Sequence, residues 1–172
     1  MTFHLGRRAA TLAFTLFLAV PSLVQAGSLP APTGRVLLTI DGNIAHTNAD
    51  GKAELDRAML ENIGMVEIET WTPFTEGSSV WRGVRLRDVM ELVGGKGGSI
   101  RAGALDLYAI DIPMSDILQH DPFIALERDG RKLRVRDKGP AWILYPFADN
   151  PGLSEERIVG RCVWQLATIT FE

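Results

Sequence analysis

The sequence predicts an α+β fold in which mixed β-sheets are accompanied by short helices. Short segments rich in β-branched and aromatic residues recur along the chain, and turn residues such as Asp129-Gly130 separate them. A few intervening segments place apolar residues at helical spacing instead. The 172 residues contain no internal repeat and have room for one domain of ordinary size.

The N-terminus has the pattern of a secretory signal peptide. Arg7-Arg8 supplies a positive start, residues 9–20 form an uncharged apolar run, and Val24-Gln25-Ala26 offers small residues to a peptidase. The run is shorter than the roughly 20 residues of a transmembrane helix, and an uncleaved membrane anchor is the alternative. We therefore expect residues 1–26 to be a signal peptide and residues 27–172 to be an exported domain.

The composition argues against several kinds of site. The formal net charge is −3, and no basic patch in the sequence points to a nucleic acid partner. Cys162 is the single cysteine, so no internal disulfide can form, and we expect it to be a small buried side chain. His46 and His120 lie far apart without ligand-like spacing, which argues against a transition-metal site.

In the first half of the domain, strands and helices alternate. Residues 35–40 are rich in strand formers, and residues 53–63 carry apolar side chains at helical spacing. Residues 65–70 alternate apolar and acidic side chains, which predicts a strand with one solvated face. Residues 71–82 contain proline, glycine and two serines and are expected to form a loop, whereas residues 86–93 have the spacing of a short amphipathic helix.

The second half is predicted to consist mainly of strands. The predicted elements are strands at 99–102 and 105–112, a helix at 113–120, a hairpin of 123–128 with 132–136, and strands at 141–145 and 163–171. Asp129-Gly130 suits the turn of the hairpin. Pro140 and Pro146 bracket the strand at 141–145, because proline cannot donate a hydrogen bond to a ladder.

The turn Arg136-Asp137-Lys138-Gly139 is the first candidate for a binding site. It is charged and leads directly into the buried strand at 141–145. Such a turn can aim polar groups at a ligand from a rigid scaffold. An ordinary hairpin connection is the alternative.

Asp106 is the second candidate, because a carboxylate can accept two N–H groups from a fused heterocycle. We expect it on a strand beside Tyr108 and Ile110, where an acid on an apolar face needs a partner. A solvated edge position is the alternative. Trp164, expected in the last strand near Arg161, could stack on a planar ring, although each of the four tryptophans could equally belong to the core.

Three segments resemble one known family. They are Trp71-Thr72-Pro73-Phe74-Thr75-Glu76-Gly77 with its continuation to Leu86, the segment 104–113, and the segment 129–165 with its Arg-Asp-Lys-Gly-Pro and Tyr-Pro-Phe elements. Together they resemble the sulfite oxidase-type molybdopterin-binding domain, in particular its small, stand-alone, exported members. The resemblance covers most of residues 35–172 and implies the sulfite oxidase-type fold.

The chain departs from the catalytic members of this family at two points. Those enzymes place a molybdenum-ligating cysteine where this chain has Glu67-Ile68-Glu69-Thr70-Trp71, and Cys162 does not match it. Their arginine and lysine that suit a phosphate correspond to Trp142 and Trp164 here. The resemblance therefore implies a metal-free pterin, without the molybdenum cofactor and without the phosphate.

Some small exported members resemble periplasmic pterin-binding regulators. These act on the periplasmic domain of an inner-membrane signalling protein, such as one that makes or degrades cyclic di-GMP. By this resemblance the chain is a periplasmic sensor rather than an enzyme. The alternatives are a molybdopterin-dependent oxidoreductase, or a subunit of one, that acts on a small oxoanion, and a structural partner with an empty pocket. The expected ligand contacts are Trp71, Thr72, Asp106, Tyr108, Arg136, Asp137, Lys138, Trp142, Arg161 and Trp164.

Overall fold

The computed structural model describes residues 28–172, so the predicted signal peptide lies outside the described residues. The strands are β1 (Val36–Gly42), β2 (Ala53–Asp56), β3 (Val66–Trp71), β4 (Ser78–Arg85), β5 (Ser99–Ala104), β6 (Ala109–Pro113), β7 (Phe123–Arg128), β8 (Arg131–Lys132), β9 (Trp142–Leu144) and β10 (Leu166–Phe171). The helices are α1 (Arg57–Ile63), α2 (Leu86–Val93), α3 (Met114–His120) and α4 (Glu156–Val159). Short 3-10 turns lie at Val135–Asp137 and Pro151–Ser154.

One sheet has the strand order β2-β1-β10-β5-β6 and joins the two ends of the described chain. The last strand, β10, lies between β1, to which it is parallel, and β5, to which it is antiparallel. Leu38 and Ile40 of β1 are fully buried, as the two-residue period of a strand requires for side chains on one face. The segment just before β10 is thereby held against the β5–β6 hairpin.

The second sheet positions the candidate site. Its order is β3-β4-β7, and both β8 and β9 pair with the far edge of β7. A Cβ atom on Gly83 of β4 would collide with the backbone carbonyl of Ile124 in β7, so the close approach of these strands requires glycine. β9 places Trp142 in the core immediately after the charged turn that precedes it.

The helices cover the sheets. α2 buries Leu86, Val89 and Val93 on one face and ends at Gly94, whose φ of +61° suits a left-handed helix cap. α1 and α3 both contact α2. No helix within residues 28–172 is both long enough and apolar enough to cross a membrane.

The predicted α+β class is confirmed, as are the strand at 65–70, the helices at 86–93 and 113–120 and the strand at 141–145. The helix predicted at 53–63 is shorter, because residues 53–56 form β2. Ala53 and Leu55 alternate into the core, and Asp56 then starts α1 by accepting a hydrogen bond from the Met59 N–H at 2.9 Å.

Three predicted placements near the site were wrong. The loop predicted at 71–82 contains the start of β4. Residues 105–108 form the turn between β5 and β6, where Asp106 Oδ1 accepts the Tyr108 N–H at 3.1 Å and closes a tight turn. Trp164 precedes β10, because Gln165, at a φ of +50°, interrupts the extended backbone.

The hairpin predicted around Asp129-Gly130 is present but short. β8 contains only Arg131–Lys132, and the chain then leaves the sheet through the 3-10 turn at Val135–Asp137. The positive φ of Lys138, +66°, ends that turn. The basic segment that follows β7 therefore lies at the side of the sheet rather than within it.

Candidate functional site

Two adjacent cavities lie beside the second sheet. The larger, of about 810 Å³, is bordered by the segment from Arg128 to Lys138 together with Trp81 and Trp142. The smaller, of about 300 Å³, lies between the β5–β6 turn and α4. Phe74, in the loop between β3 and β4, lines both. Both volumes fall within the roughly 300–1,000 Å³ of small-molecule sites.

The larger cavity has a basic border. Its basic lining residues are Arg128, Arg131, Lys132, Arg134, Arg136 and Lys138, against the two acids Asp129 and Asp137. Asp137 is engaged by Arg134, whose Nε lies 2.7 Å from Asp137 Oδ2. A concave surface with this excess of positive charge attracts anionic groups, although the chain as a whole carries a net charge of −3.

An aromatic group surrounds the ammonium of Lys138. Its Nζ lies 4.2 Å from the ring centroid of Trp164 and 5.6 Å from those of Phe74 and Trp142. The rings of Phe74 and Trp164 meet edge to face, with centroids 5.2 Å apart. Cation–π attraction therefore ties the charged turn to the aromatic side chains between the two cavities.

Trp142 contributes an unsatisfied polar atom to this region. Its side chain is 1% exposed and packs edge to face on Trp81, with centroids 5.4 Å apart. Its indole Nε1 is buried and has no hydrogen-bond partner within residues 28–172. A buried donor without an acceptor costs roughly 1–3 kcal/mol, so a ligand or water that supplied an acceptor here would be favoured.

The smaller cavity combines an apolar lining with a few polar groups. Phe74, Trp164 and Val159 provide apolar surface, and the polar groups come from Asp106, Tyr108 and Glu156. The Tyr108 hydroxyl donates a hydrogen bond to the Gly160 carbonyl at 3.0 Å, which fixes the β5–β6 turn against α4.

Cys162 also lines the smaller cavity but is only 3% exposed. Burial disfavours the thiolate and raises the pKa of Cys162 to about 12. The thiol is therefore neutral at physiological pH. The predicted small buried cysteine is confirmed.

The predicted ligand contacts divide into three groups. Arg136, Asp137, Lys138 and Trp142 line the larger cavity, and Asp106, Tyr108 and Trp164 line the smaller one. Trp71, Thr72 and Arg161 line neither. Phe74, Arg128, Arg131, Lys132 and Arg134 line the larger cavity but were not predicted from the sequence. The close succession of basic residues from Arg131 to Lys138 was the available signal.

Trp71 and Thr72 support the loop that carries Phe74. The Thr72 Oγ1 accepts the Phe74 N–H at 3.2 Å and lies 2.8 Å from the Thr75 Oγ1. Trp71 packs against Phe147, with ring centroids 5.2 Å apart. These contacts position Phe74 between the cavities.

Arg161 is held in a buried polar cluster. Its Nη1 lies 2.5 Å from Asp116 Oδ2, which also accepts a hydrogen bond from the Tyr145 hydroxyl at 3.1 Å. Burial and the Asp116 carboxylate raise the pKa of Tyr145 well above its ordinary value. The cluster joins the segment before β10 to α3. The Arg161 guanidinium is therefore paired with Asp116 and does not line either cavity.

The possible ligands for a metal ion are dispersed. Within residues 28–172, no group of three or more His, Cys, Asp or Glu side chains could hold a metal ion. His46 uses its Nδ1 for a hydrogen bond with the Leu92 carbonyl at 2.8 Å. The residues that line the two cavities are mainly aromatic, carboxylate and basic.

Comparison with known proteins gives the family and the fold. The sequence model of a family described as the oxidoreductase molybdopterin binding domain matches residues 47–147. Among solved structures, the chain is similar to the sulfane dehydrogenase SoxCD from Paracoccus pantotrophus, with a TM-score of 0.60 and 16% sequence identity. The match covers 78% of this chain and 37% of that chain, so the chain spans little more than a third of this relative. No match was found among curated proteins. The predicted sulfite oxidase-type fold is confirmed.

Proposed function

The chain belongs to the oxidoreductase molybdopterin-binding domain family, and we propose that it is a periplasmic pterin-binding sensor. A metal-free pterin occupies the smaller cavity. The periplasmic domain of an inner-membrane enzyme that makes or degrades cyclic di-GMP responds to the bound state. The observation that carries this proposal is that Trp164, Asp106 and Tyr108 line one mainly apolar cavity of about 300 Å³.

The side chains of this cavity suit a fused two-ring heterocycle. The Trp164 indole offers a stacking surface, and stacking of comparable rings is worth roughly 1–3 kcal/mol. Asp106 is oriented by the Tyr108 N–H, which occupies its Oδ1, and a carboxylate has capacity to accept further N–H groups. The amino and ring N–H groups of a pterin are donors of this kind.

The donor set of the chain does not fit a molybdenum ion. Residues 67–71 contain no thiol. Cys162 is buried with a raised pKa of about 12, and it lines the smaller cavity rather than the basic one. A thiolate ligand for the metal is therefore missing, whereas the aromatic and carboxylate groups suit the organic ring alone.

Sensing requires that the pterin bind two states of the protein with different affinity. Phe74 and Trp164 line the smaller cavity and also surround the Lys138 ammonium. A ring that stacks on Trp164 would alter this aromatic group and, through Lys138, the charged turn. Ligand occupancy would thus reach the protein surface through contacts that already exist.

The proposal is tested by titrating the purified protein with tetrahydrobiopterin, a reduced pterin, and following tryptophan fluorescence. Trp164→Ala should weaken binding by one to two decades, because about 1.4 kcal/mol corresponds to one decade. Trp164→Phe keeps an aromatic face, so its affinity for the pterin should fall much less. A folded Trp164→Ala protein with unchanged affinity would remove Trp164 from the site.

The second candidate function is that of a molybdopterin-dependent oxidoreductase, or a subunit of one, acting on a small oxoanion. The basic border of the larger cavity favours it, since six basic side chains there suit an anion. Elemental analysis of the native protein distinguishes the two. About one molybdenum per chain, removed by Cys162→Ser, would support the oxidoreductase.

A further inference from the structure

Four exposed apolar side chains lie beside the two cavities and form what we call the hairpin-tip patch. They are Leu105, Leu107, Tyr108 and Val135, with exposed fractions of 51%, 93%, 46% and 50%. Single exposed apolar residues are ordinary on protein surfaces, but a contiguous group of them marks an interaction site.

Hydrogen bonds hold the two turns that carry the patch next to each other. The Leu105 N–H donates to the Gln165 carbonyl at 3.0 Å, and the Gln165 Nε2 donates to the Val135 carbonyl at 2.9 Å. Gln165 therefore holds the β5–β6 turn beside the 3-10 turn that carries Val135.

The turn at the centre of the patch is closed by hydrogen bonds and places a leucine at a positive φ. Leu107 has a φ of +72°, a conformation that disfavours a leucine, and it also exposes most of its side chain to water. Asp106 and Gly160 tie Tyr108 on the C-terminal side of Leu107. An apolar tip held by such hydrogen bonds loses less conformational entropy on burial by a partner than a free loop would.

The charges around Val135 are mainly basic. Arg134 and Arg136 flank it with side chains 62% and 71% exposed, and Arg131 and Lys132 are exposed nearby. Asp137 lies 2.7 Å from Arg134 and 3.9 Å from Arg136, whereas Asp106 and Glu156 line the smaller cavity together with Tyr108. The complementary partner surface is therefore acidic where it faces the turn around Val135 and has an apolar recess beside that acidic part.

We propose that the hairpin-tip patch docks an acidic protein surface, with Leu107 inserted into an apolar recess. The proposal rests on the proposed function and names its output surface: the partner surface belongs to the periplasmic domain of the membrane enzyme. The patch uses the same segments as the cavities, since Asp106 and Tyr108 line the smaller one and Arg134 and Arg136 line the larger. Ligand binding and partner binding are thereby coupled through shared residues.

The test starts with a photo-crosslinking amino acid placed at Leu107 in cells, with Leu118 as the matched control. Leu118 is 58% exposed on α3, outside the patch. The membrane protein crosslinked from position 107 is identified, and its purified periplasmic domain is titrated with the full mature protein. Leu107→Ser should weaken this complex about 10- to 100-fold, the value of burying one leucine side chain. Leu118→Ser should leave it unchanged, and added salt should weaken it.

The outcomes separate the two proposals. Suppose that tetrahydrobiopterin binds the wild type and Leu107→Ser with the same affinity, and that the partner domain also binds both with the same affinity. The docking surface is then wrong, and the sensor proposal stands. If no pterin binds while Leu107→Ser abolishes partner binding, the docking surface stands alone. Flotation with vesicles of anionic phosphatidylglycerol that requires Leu107 would overturn protein docking in favour of a membrane surface. Loss of a dimer in Leu107→Ser would overturn it in favour of a second copy of the chain.

Discussion

Arg161 and Trp164 are three residues apart, yet their surroundings differ completely. Arg161 is 9% exposed and paired with Asp116, whereas Trp164 is half-buried and lines the smaller cavity. Both residue types suit a site for a flat, polar ligand, so the sequence predicted both as ligand contacts. The difference arises because α3, more than 40 residues earlier, supplies a buried carboxylate to one of them.

Arg161→Gln should lower the free energy of unfolding by about 3–5 kcal/mol. The substitution leaves Asp116 as an uncompensated buried charge, and breaking a buried pair has a cost of this size. Urea denaturation followed by circular dichroism measures it.

Arg101→Gln is the matched control for this change. Arg101 pairs with Asp111 at 2.9 Å, but both side chains are more than half exposed. Water screens such a pair, so the expected loss is only about 0.2–1 kcal/mol. If the free energy of unfolding fell equally in the two variants, the Arg161–Asp116 pair would contribute no more to stability than a surface pair.

Lys138→Met tests the cation–π contacts at the junction of the cavities. Removing the charge over the Trp164 ring should reduce the free energy of unfolding by roughly 0.5–2 kcal/mol, the range of such contacts. It should also change the tryptophan emission. Lys96→Met, at an exposed lysine outside both cavities, serves as the control. An unchanged emission spectrum in Lys138→Met would contradict this arrangement.

At the scale of elements, Asp56 marks where β2 ends and α1 begins. Its Oδ2 accepts the N–H groups of Thr33 and Gly34 at 2.8 and 2.7 Å, and its Oδ1 accepts that of Met59. The hydrogen bonds from Met59, Gly34 and Thr33 favour the ionised form and lower the pKa of Asp56. The carboxylate thus joins the start of the helix to the segment before β1.

Asp56→Asn should reduce stability at pH 7, and the difference from wild type should shrink in acid. Because the folded pKa lies below the unfolded value of about 3.9, the carboxylate contributes fully above about pH 4 and loses its contribution as the pH falls through the folded pKa. Denaturation curves at pH 7 and pH 3 measure the difference. Asp149→Asn, at an exposed site, controls for the loss of one negative charge. A stability difference between Asp56→Asn and wild type that was larger at pH 3 than at pH 7 would contradict the lowered pKa of Asp56.

The sequence predicted those strands and helices in which buried and exposed side chains alternate regularly within one segment. β3 alternates Glu67 and Glu69 with inward side chains, and α2 buries one helical face, so each could be assigned from its own residues. β4 could not, because its serines and Gly83 resemble a loop, and it is a strand only through its partners β3 and β7. Leu107 gave no turn signal, since leucine is not expected at a positive φ.

At the scale of the whole molecule, the two sheets bring together segments that the sequence separates. β10 holds Trp164 and Gln165 beside the β5–β6 turn, and β7 and β9 hold the charged turn beside Phe74. The basic border of the larger cavity therefore exists on a chain of net negative charge. Composition could not predict it, because it depends on where the basic residues are placed.

We propose that this domain holds a pterin without molybdenum. This proposal is tested most directly by purifying the native protein from the cells that make it, releasing its small molecule by denaturation, and analysing the same sample by mass spectrometry and elemental analysis. We predict a pterin in a constant ratio to protein, with molybdenum far below one atom per chain, and loss of the pterin from Trp164→Ala. Molybdenum at about one atom per chain, or a native protein that carries no pterin and binds none when it is supplied, would contradict the claim.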